Sequence, residues 1–183
     1  MKYSRSDGFS LIEVMVALIV LSVGLLGVAK MQALSLSSTT VSSKRSLAAL
    51  EAASLAATMH VNRGYWSKND ASIAVINVTG AVVSVTSGAP LLGGVLAAAV
   101  PDCKAGPCSV NNLAARDLIN WAGALSALLP NDTATVSCGA TPITCTILIS
   151  WTESVVAINN QQSQVVSASA GLQNPSYTLY VEP

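Results

Sequence analysis

The chain has 183 residues, enough for one domain with a core of ordinary size, and its nine basic and nine acidic residues cancel. A neutral chain offers no electrostatic basis for nucleic-acid binding, so we expect no nucleic-acid partner. Only 10% of the residues are charged whereas 51% are hydrophobic, which predicts a surface rich in small and hydroxyl side chains rather than in charge.

The chain begins with a short basic stretch followed by an apolar run. Lys2 and Arg5 precede Gly8, and residues 9–29 would form about 31 Å of helix, which matches the thickness of the membrane hydrocarbon. The basic residues predict a cytoplasmic N-terminus, with the chain after Lys30 on the other side of the membrane. An ordinary secretory signal is cut after its apolar region, so the simplest interpretation here is an uncleaved single-span anchor.

Glu13 lies almost at the start of this apolar run. A carboxylate costs about 2.5–3.5 kcal/mol at the bilayer centre, and less near an edge, so we expect it to have a partner. Cleavage between Gly8 and Phe9 would create an α-amine one helical turn from Glu13. In a stack of subunits, the Glu13 of a neighbour could also reach that amine.

The sequence "GFSLIEVMVALIVLSVGLLG" closely resembles the N-terminus of type IV pilins and pseudopilins. The resemblance implies that a prepilin peptidase cuts after Gly8 and N-methylates Phe9. It also implies that Glu13 neutralises the N-terminal amine of the adjacent subunit during assembly. The precursor would then be a single-pass protein of the bacterial inner membrane with its globular domain in the periplasm, and would later enter a pilus filament or its tip.

The helical pattern continues beyond the apolar run. Gly64 is a candidate C-cap, which predicts one helix from Phe9 to about Asn62. Gly24 and Gly27 are weak points in it, suited either to close helix packing or to loosening during assembly. Six apolar residues fall within about 60° of one line on this helix: Leu34, Val41, Ala48, Ala52, Leu55 and Met59.

The predicted organisation has four parts. They are a cytoplasmic leader at 1–8, a transmembrane half-helix at 9–30, a periplasmic half-helix at 31–63 and a globular pilin domain at 64–183.

The segment after the long helix gives weaker signals. "ASIAVINVTGAVVSVTSG" alternates with a period of two and predicts a hairpin that turns at Thr79 and Gly80. "APLLGGVLAAAVPDC" is interpreted as a flexible apolar loop. Exposure of that loop would favour a role in subunit contacts, and burial would make it part of the core.

An amphipathic helix is predicted at 111–129, with Asn111 or Asn112 as its cap and Pro130 as its stop. Its apolar face would carry Leu118, Trp121, Leu125 and Leu128. Four strand-like runs follow, which predicts an α+β fold in which the helices pack on an antiparallel sheet. The runs are "TATVSC", "CTILISWT", "QVVSASA" and "YTLYVEP".

Four cysteines form two close pairs in the sequence, Cys103 with Cys108 and Cys138 with Cys145. Zinc ligation would favour tighter spacing with a histidine nearby, so we expect no metal site. Two disulfides fit better and imply an oxidising compartment. Bonding within each pair and crossed bonding between the pairs are both compatible with the sequence.

No catalytic site and no cofactor are predicted, and we expect the protein not to be an enzyme. The only histidine, His60, lies on the long helix, where a structural role is expected. Three aspartates are interpreted as solvated or capping residues: Asp102, Asp117 and Asp132. Trp121 and Trp151 are expected in the core, whereas Trp66 is a candidate for contact with the membrane interface or a partner.

Residues 1–65 and 101–183 together show a second, narrower resemblance, to the PilV family of minor pilins. It implies a minor pilin that helps to prime pilus assembly, with other minor pilins, the major pilin and a pilus-tip adhesin as partners. Two alternatives are a type II secretion pseudopilin of the GspI type and a major pilin. A third is a membrane-tethered periplasmic binding domain, with the apolar stretch 81–100 as its ligand surface.

Overall fold

The computed structural model describes residues 10–68, 74–97, 102–103, 106–139, 142–154 and 172–183. The chain divides into two compact units, residues 1–40 and residues 41–183, which we call the N-terminal unit and the globular unit. A long N-terminal helix and a five-stranded antiparallel sheet confirm the predicted α+β class, and the arrangement is consistent with a pilin-like fold.

Helix α1 (Leu11–Val61) confirms the predicted long helix. It lacks proline and is rich in leucine and alanine, which are strong helix formers. Hydroxyl groups along it donate to carbonyls one turn earlier, as Ser22 does to Ile19 at 2.8 Å and Thr39 does to Ser35 at 2.9 Å. Small polar residues are thereby accommodated within the helix without leaving their donors unpaired.

The globular unit buries one face of the later part of α1. Of the six residues in the predicted apolar stripe, Leu34 and Val41 are partly exposed. The other four are fully buried: Ala48, Ala52, Leu55 and Met59.

The end of α1 differs from the prediction. The helix stops at Val61, and a four-residue helix, α2 (Arg63–Trp66), follows it. Gly64 therefore lies inside α2 and is not a C-cap. A Cβ at this position would lie 2.9 Å from Val110 Cγ1, so a larger residue here would require the Val110 side chain to shift.

Trp66 is a core residue and not an interfacial one. Only 1% of Trp66 and 1% of Tyr65 is exposed. The two rings meet edge to face with their centroids 5.0 Å apart, a favourable aromatic geometry. The predicted contact of Trp66 with the membrane interface or a partner is therefore wrong.

Strands β1 (Val75–Thr79) and β2 (Val82–Ser87) confirm the predicted hairpin, but its turn is Gly80 and Ala81, one residue later than predicted. Gly80 begins its two-residue turn with φ +55°, a conformation that glycine adopts at little cost. The predicted apolar loop is instead a helix over its first part, α3 (Pro90–Ala97), in which proline occupies the favourable first position. Leu92 is fully buried, so α3 contributes to the core.

Helix α4 (Val110–Leu128) confirms the predicted amphipathic helix. Its cap is Ser109, whose hydroxyl accepts from the Asn112 backbone N–H at 3.2 Å, and not Asn111 or Asn112. The buried face is wider than predicted because it includes alanines, and Leu128 lies outside it with 41% of its surface exposed. The buried residues of α4 are Ala114, Ala115, Leu118, Trp121, Ala122 and Leu125.

Three further strands complete the five-stranded sheet: β3 (Thr133–Gly139), β4 (Thr144–Ser150) and β7 (Ser176–Val181). The strand order is β2-β1-β3-β4-β7. A second, two-stranded sheet joins β5 (Glu153–Ser154) to β6 (Leu172–Gln173).

Buried and more exposed side chains alternate along β4 and beyond it, as the sequence predicts. Ile147, Ile149 and Trp151 are all buried, as predicted. In β7, Val181 is buried, and Tyr177 and Leu179 pack on the core while remaining half-buried. The strand predicted in "QVVSASA" lies outside the described residues.

Candidate functional site

The first turn of α1 contains the carboxylate that the sequence singled out. Glu13 lies three residues after Ser10, and the backbone N–H groups of Glu13 and Val14 donate to the Ser10 carbonyl at 3.0 and 3.3 Å. A negative charge in the first turn interacts favourably with the helix dipole, by about 0.3–1 kcal/mol. The Glu13 side chain is exposed. Gly8 and Phe9 lie outside the described residues.

The surface of α1 around Glu13 is apolar and exposed. Large hydrophobic residues such as Leu11 (83%), Leu25 (69%) and Leu26 (72%) leave most of their surface accessible. By length and composition, this helix contains a segment apolar enough to cross a membrane, and none of that segment is buried within the protein. Such a surface needs lipid or another protein to cover it.

Gly24 and Gly27 interrupt the apolar segment. A Cβ at either position would have no atom within 4 Å, leaving aside the backbone of the helix itself. Each glycine lowers helix stability by about 1 kcal/mol relative to alanine. Among the described residues, no side-chain contact accounts for either glycine.

The cysteines of the globular unit are joined within each close pair. Cys103 is bonded to Cys108, with their Cα atoms 5.4 Å apart, just before α4 begins. Cys138 is bonded to Cys145, and these residues are direct cross-strand partners in β3 and β4. The crossed pairing that the sequence left open does not occur in this structure.

An ion pair between a buried glutamate and a partly exposed arginine is a feature that the sequence reasoning missed. Glu153 is fully buried, and its Oε2 lies 3.2 Å from Arg45 Nη2. Its Oε1 accepts a hydrogen bond from Trp151 Nε1 at 2.9 Å. The alternation Ile147, Ile149, Trp151 continues to Glu153, so the pattern itself contained the signal for an inward acid that needs a basic partner.

The burial of Asp132 contradicts another prediction. It was interpreted as solvated or capping, but only 3% of the residue is exposed, and its Oδ2 accepts no hydrogen bond from the described part of the chain. Burial raises the pKa of the Asp132 carboxyl above its usual value, while a hydrogen bond to its own backbone acts in the opposite direction.

Potential metal ligands do not gather in the part of the chain that the structure describes. It contains no group of three or more histidine, cysteine or acidic residues able to hold a metal ion. His60 is exposed in the last turn of α1, where a cationic side chain would be favourable to the helix dipole.

One family model matches the chain. Residues 3–29 match the prokaryotic N-terminal methylation motif. No curated protein and no solved structure gives a match. The motif indicates a structural protein rather than an enzyme and implies prepilin peptidase processing and a pilus-assembly context. Together with the exposed apolar segment of α1, it fits membrane anchoring. The motif therefore supports a type IV pilin-like precursor, and in this chain it accompanies an α+β globular unit.

Proposed function

We propose that this chain is the precursor of a minor pilin of the PilV kind, which joins type IV pili and helps to prime their assembly. One observation carries the proposal: the methylation motif leads directly into a helix whose apolar surface is exposed and includes Glu13. Such a surface is suited first to lipid and then to the helices of neighbouring subunits. Other minor pilins, the major pilin and a pilus-tip adhesin are the proposed partners.

Cleavage of the precursor would supply a positive charge to pair with the Glu13 carboxylate. In the proposed sequence of events, prepilin peptidase removes residues 1–8 by cutting after Gly8, and Phe9 becomes the N-methylated first residue. The new N-terminus is a cation at the same end of the helix as Glu13. In a filament, the amine of one subunit and the Glu13 carboxylate of its neighbour would form an ion pair.

Energy magnitudes favour an ion-pair partner for Glu13. The helix dipole offsets about 0.3–1 kcal/mol, whereas an acidic residue at mid-bilayer costs about 2.5–3.5 kcal/mol. Where the cost exceeds this dipole term, an ion pair in an apolar medium can remove the difference.

The proposed location is the inner membrane, with the globular unit in the periplasm before assembly. Lys2 and Arg5 favour a cytoplasmic N-terminus by the positive-inside rule. The two disulfides support the same orientation because the periplasm is an oxidising compartment.

The first test is quantitative mass spectrometry of filaments sheared from the cell surface. We expect a small, reproducible amount of this protein relative to the dominant pilin, with N-methylated Phe9 at its N-terminus. If this protein dominates the filament, it is a major pilin. Cleaved protein that stays in the membrane and is absent from pili would favour a type II secretion pseudopilin. Resistance to the peptidase would favour a membrane-tethered binding domain and contradict every pilin interpretation.

The role of Glu13 is tested with Glu13→Gln, which removes the charge and keeps the shape. Cleavage and methylation should be unchanged, while the amount of the protein in sheared filaments falls, because the amine of the neighbour loses its counter-charge. Glu51→Gln is the matched control, since it makes the same change on the same helix within the globular unit. Normal incorporation of the Glu13→Gln variant would contradict the assembly role.

A further inference from the structure

The two disulfides of the globular unit lie in different surroundings. Cys138–Cys145, which we call the core disulfide, belongs to the hydrophobic core, and its two residues have 8% and 0% of their surfaces exposed. Cys103–Cys108, which we call the surface disulfide, joins two half-buried residues just before α4. Its neighbours Gly106 and Pro107 are exposed. One bond therefore lies in the interior of the unit and the other lies near its surface.

The core disulfide is shielded by the packing of the sheet. Its two cysteines share the buried positions of β3 and β4 with Val136 and Ile147. Strand β1 pairs with β3 and strand β7 pairs with β4, so both strands that carry this bond are internal to the sheet. Thiol–disulfide exchange begins when a thiolate reaches a disulfide sulfur, so access decides the rate. Access to the core disulfide requires the core to open, which costs free energy.

The start of α4 is held by contacts that do not involve the surface disulfide. Ser109 Oγ caps the helix by accepting from the Asn112 backbone N–H at 3.2 Å. Asn62 Nδ2, from the end of α1, donates to the Val110 carbonyl at 2.8 Å. Six residues on the inner face of α4 are buried in the core. Because these contacts remain when the surface disulfide opens, we expect α4 to stay in place.

We propose that the surface disulfide is a site of thiol–disulfide exchange in the folded protein, which a small thiol or a dithiol reductant opens while the core disulfide stays closed. A thiolate of the reductant bonds to one sulfur of Cys103–Cys108, the bond between the two cysteines breaks, and its electron pair leaves on the other sulfur. The second thiol of a dithiol then attacks the mixed disulfide and releases the remaining cysteine. The reductant is oxidised to a disulfide, and the protein gains two electrons and two protons as two thiols.

The exchange should change the structure only near the start of α4. Asp102 precedes the surface disulfide in the chain, and its Oδ1 lies 3.9 Å from Arg116 Nη2 on α4. The closed bond limits how far Asp102 can move from the start of this helix, and reduction removes that limit. The oxidation state of one bond would therefore control the order of one surface segment. This site is separate from the proposed role of Glu13 and does not depend on it.

The test follows both bonds in the full chain, held in uncharged detergent micelles. The folded protein is treated at neutral pH with reduced glutathione, which is a monothiol, or with dithiothreitol, which is a dithiol. Samples are taken over time, free thiols are blocked with N-ethylmaleimide, and peptide mass spectrometry measures the fraction of each bond that is still closed. Near-UV circular dichroism and tryptophan fluorescence of the same samples report whether the globular unit remains folded.

The surface disulfide should open at least about tenfold faster than the core disulfide, because only the core disulfide requires the core to open first. Glutathione should be found attached to Cys103 or Cys108. The circular dichroism and the fluorescence should stay unchanged while the core disulfide is closed. The matched control combines Cys103→Ser with Cys108→Ser, which keeps the core disulfide alone, and it should show no labelled thiol over the same time.

Three results would each overturn the proposal. The first is equal rates of opening for the two bonds in the folded protein, which would show that burial does not distinguish them. The second is earlier opening of the core disulfide. The third is loss of the near-UV signal in step with opening of the surface disulfide, which would show that exchange at this site requires the globular unit to unfold.

Discussion

The two units of this protein use apolar residues in opposite ways. In the N-terminal unit, Leu18 and Leu25 leave 61% and 69% of their surfaces exposed, whereas in the globular unit Ile147 and Ile149 are completely buried. Both disulfides lie in the globular unit. The globular unit therefore has its own sources of stability, while the N-terminal unit depends on lipid or neighbouring protein to cover its surface.

The largest expected difference in stability is between two truncations to alanine, one in each unit. Ile147→Ala should lower the free energy of unfolding of the globular unit by about 2–5 kcal/mol, because it leaves a cavity in a close-packed core. Leu18→Ala should change it by less than about 0.5 kcal/mol, since that residue is outside the core. Denaturant unfolding of the full chain in detergent, followed by near-UV circular dichroism, measures both. Equal losses would contradict the comparison.

The cross-strand disulfide should have the next largest effect. Replacing both Cys138 and Cys145 by alanine should lower the free energy of unfolding by about 2.5 kcal/mol, as expected for opening a loop of about eight residues. Replacing Cys103 and Cys108 removes a smaller loop and should cost slightly less. Denaturant unfolding of each double variant measures the contribution of one bond, and unfolding of the unaltered protein with and without a reducing agent measures both bonds together. An unfolding free energy that neither double replacement changes would contradict these contributions.

Breaking the ion pair between Arg45 and Glu153 should lower the stability by an intermediate amount. Arg45→Ala leaves Glu153 buried without its counter-charge and should lower the free energy of unfolding by about 1–2 kcal/mol. This is less than for a fully buried pair, because the Arg45 side chain is 59% exposed and its charge is partly screened. Lys44→Ala is the neighbouring control and should have little effect. If Glu153→Gln is combined with Arg45→Ala, part of the loss should be recovered.

The smallest change in the free energy of unfolding is expected from Asp132→Asn, and its size depends on pH. Its pKa is raised by burial in the folded protein, so the folded state holds its proton to higher pH than the unfolded state does. Stability from this group therefore falls as pH rises from its usual pKa through the raised value. Asp132→Asn should remove that fall and gain about 1 kcal/mol or less at pH 7. Unfolding measured at pH 3 and pH 7 tests this, and a loss at pH 7 would contradict it.

Much of the fold follows from local pattern in the sequence. The alternation around Ile147 predicts β4 and its inward face, and the turn at Gly80 predicts the first hairpin. These signals are readable because a half-buried strand must alternate and because a tight hairpin turn favours glycine. The apolar run with Glu13 predicts the pilin-like segment for a similar reason: few other proteins place one carboxylate at that point.

The missed features depend on contacts between distant parts of the chain. Gly64 has the appearance of a helix cap in the sequence, but it lies inside α2 and packs against Val110, which is 46 residues away (110 − 64). Helix α3 contains two glycines, which favour a loop locally, yet burial of Leu92 stabilises the helix. Asp132 resembles a turn aspartate, and only its packing beside the end of α4 reveals a buried carboxylate.

The positions of the tryptophans give the globular unit an optical signal of its own. All three tryptophans of the chain, Trp66, Trp121 and Trp151, belong to this unit, and each is at most 5% exposed. Their intrinsic fluorescence should therefore be blue-shifted in the folded protein and move to longer wavelength when this unit unfolds. Insertion of the N-terminal unit into lipid should leave the emission maximum unchanged, so one fluorescence spectrum can separate unfolding from membrane transfer.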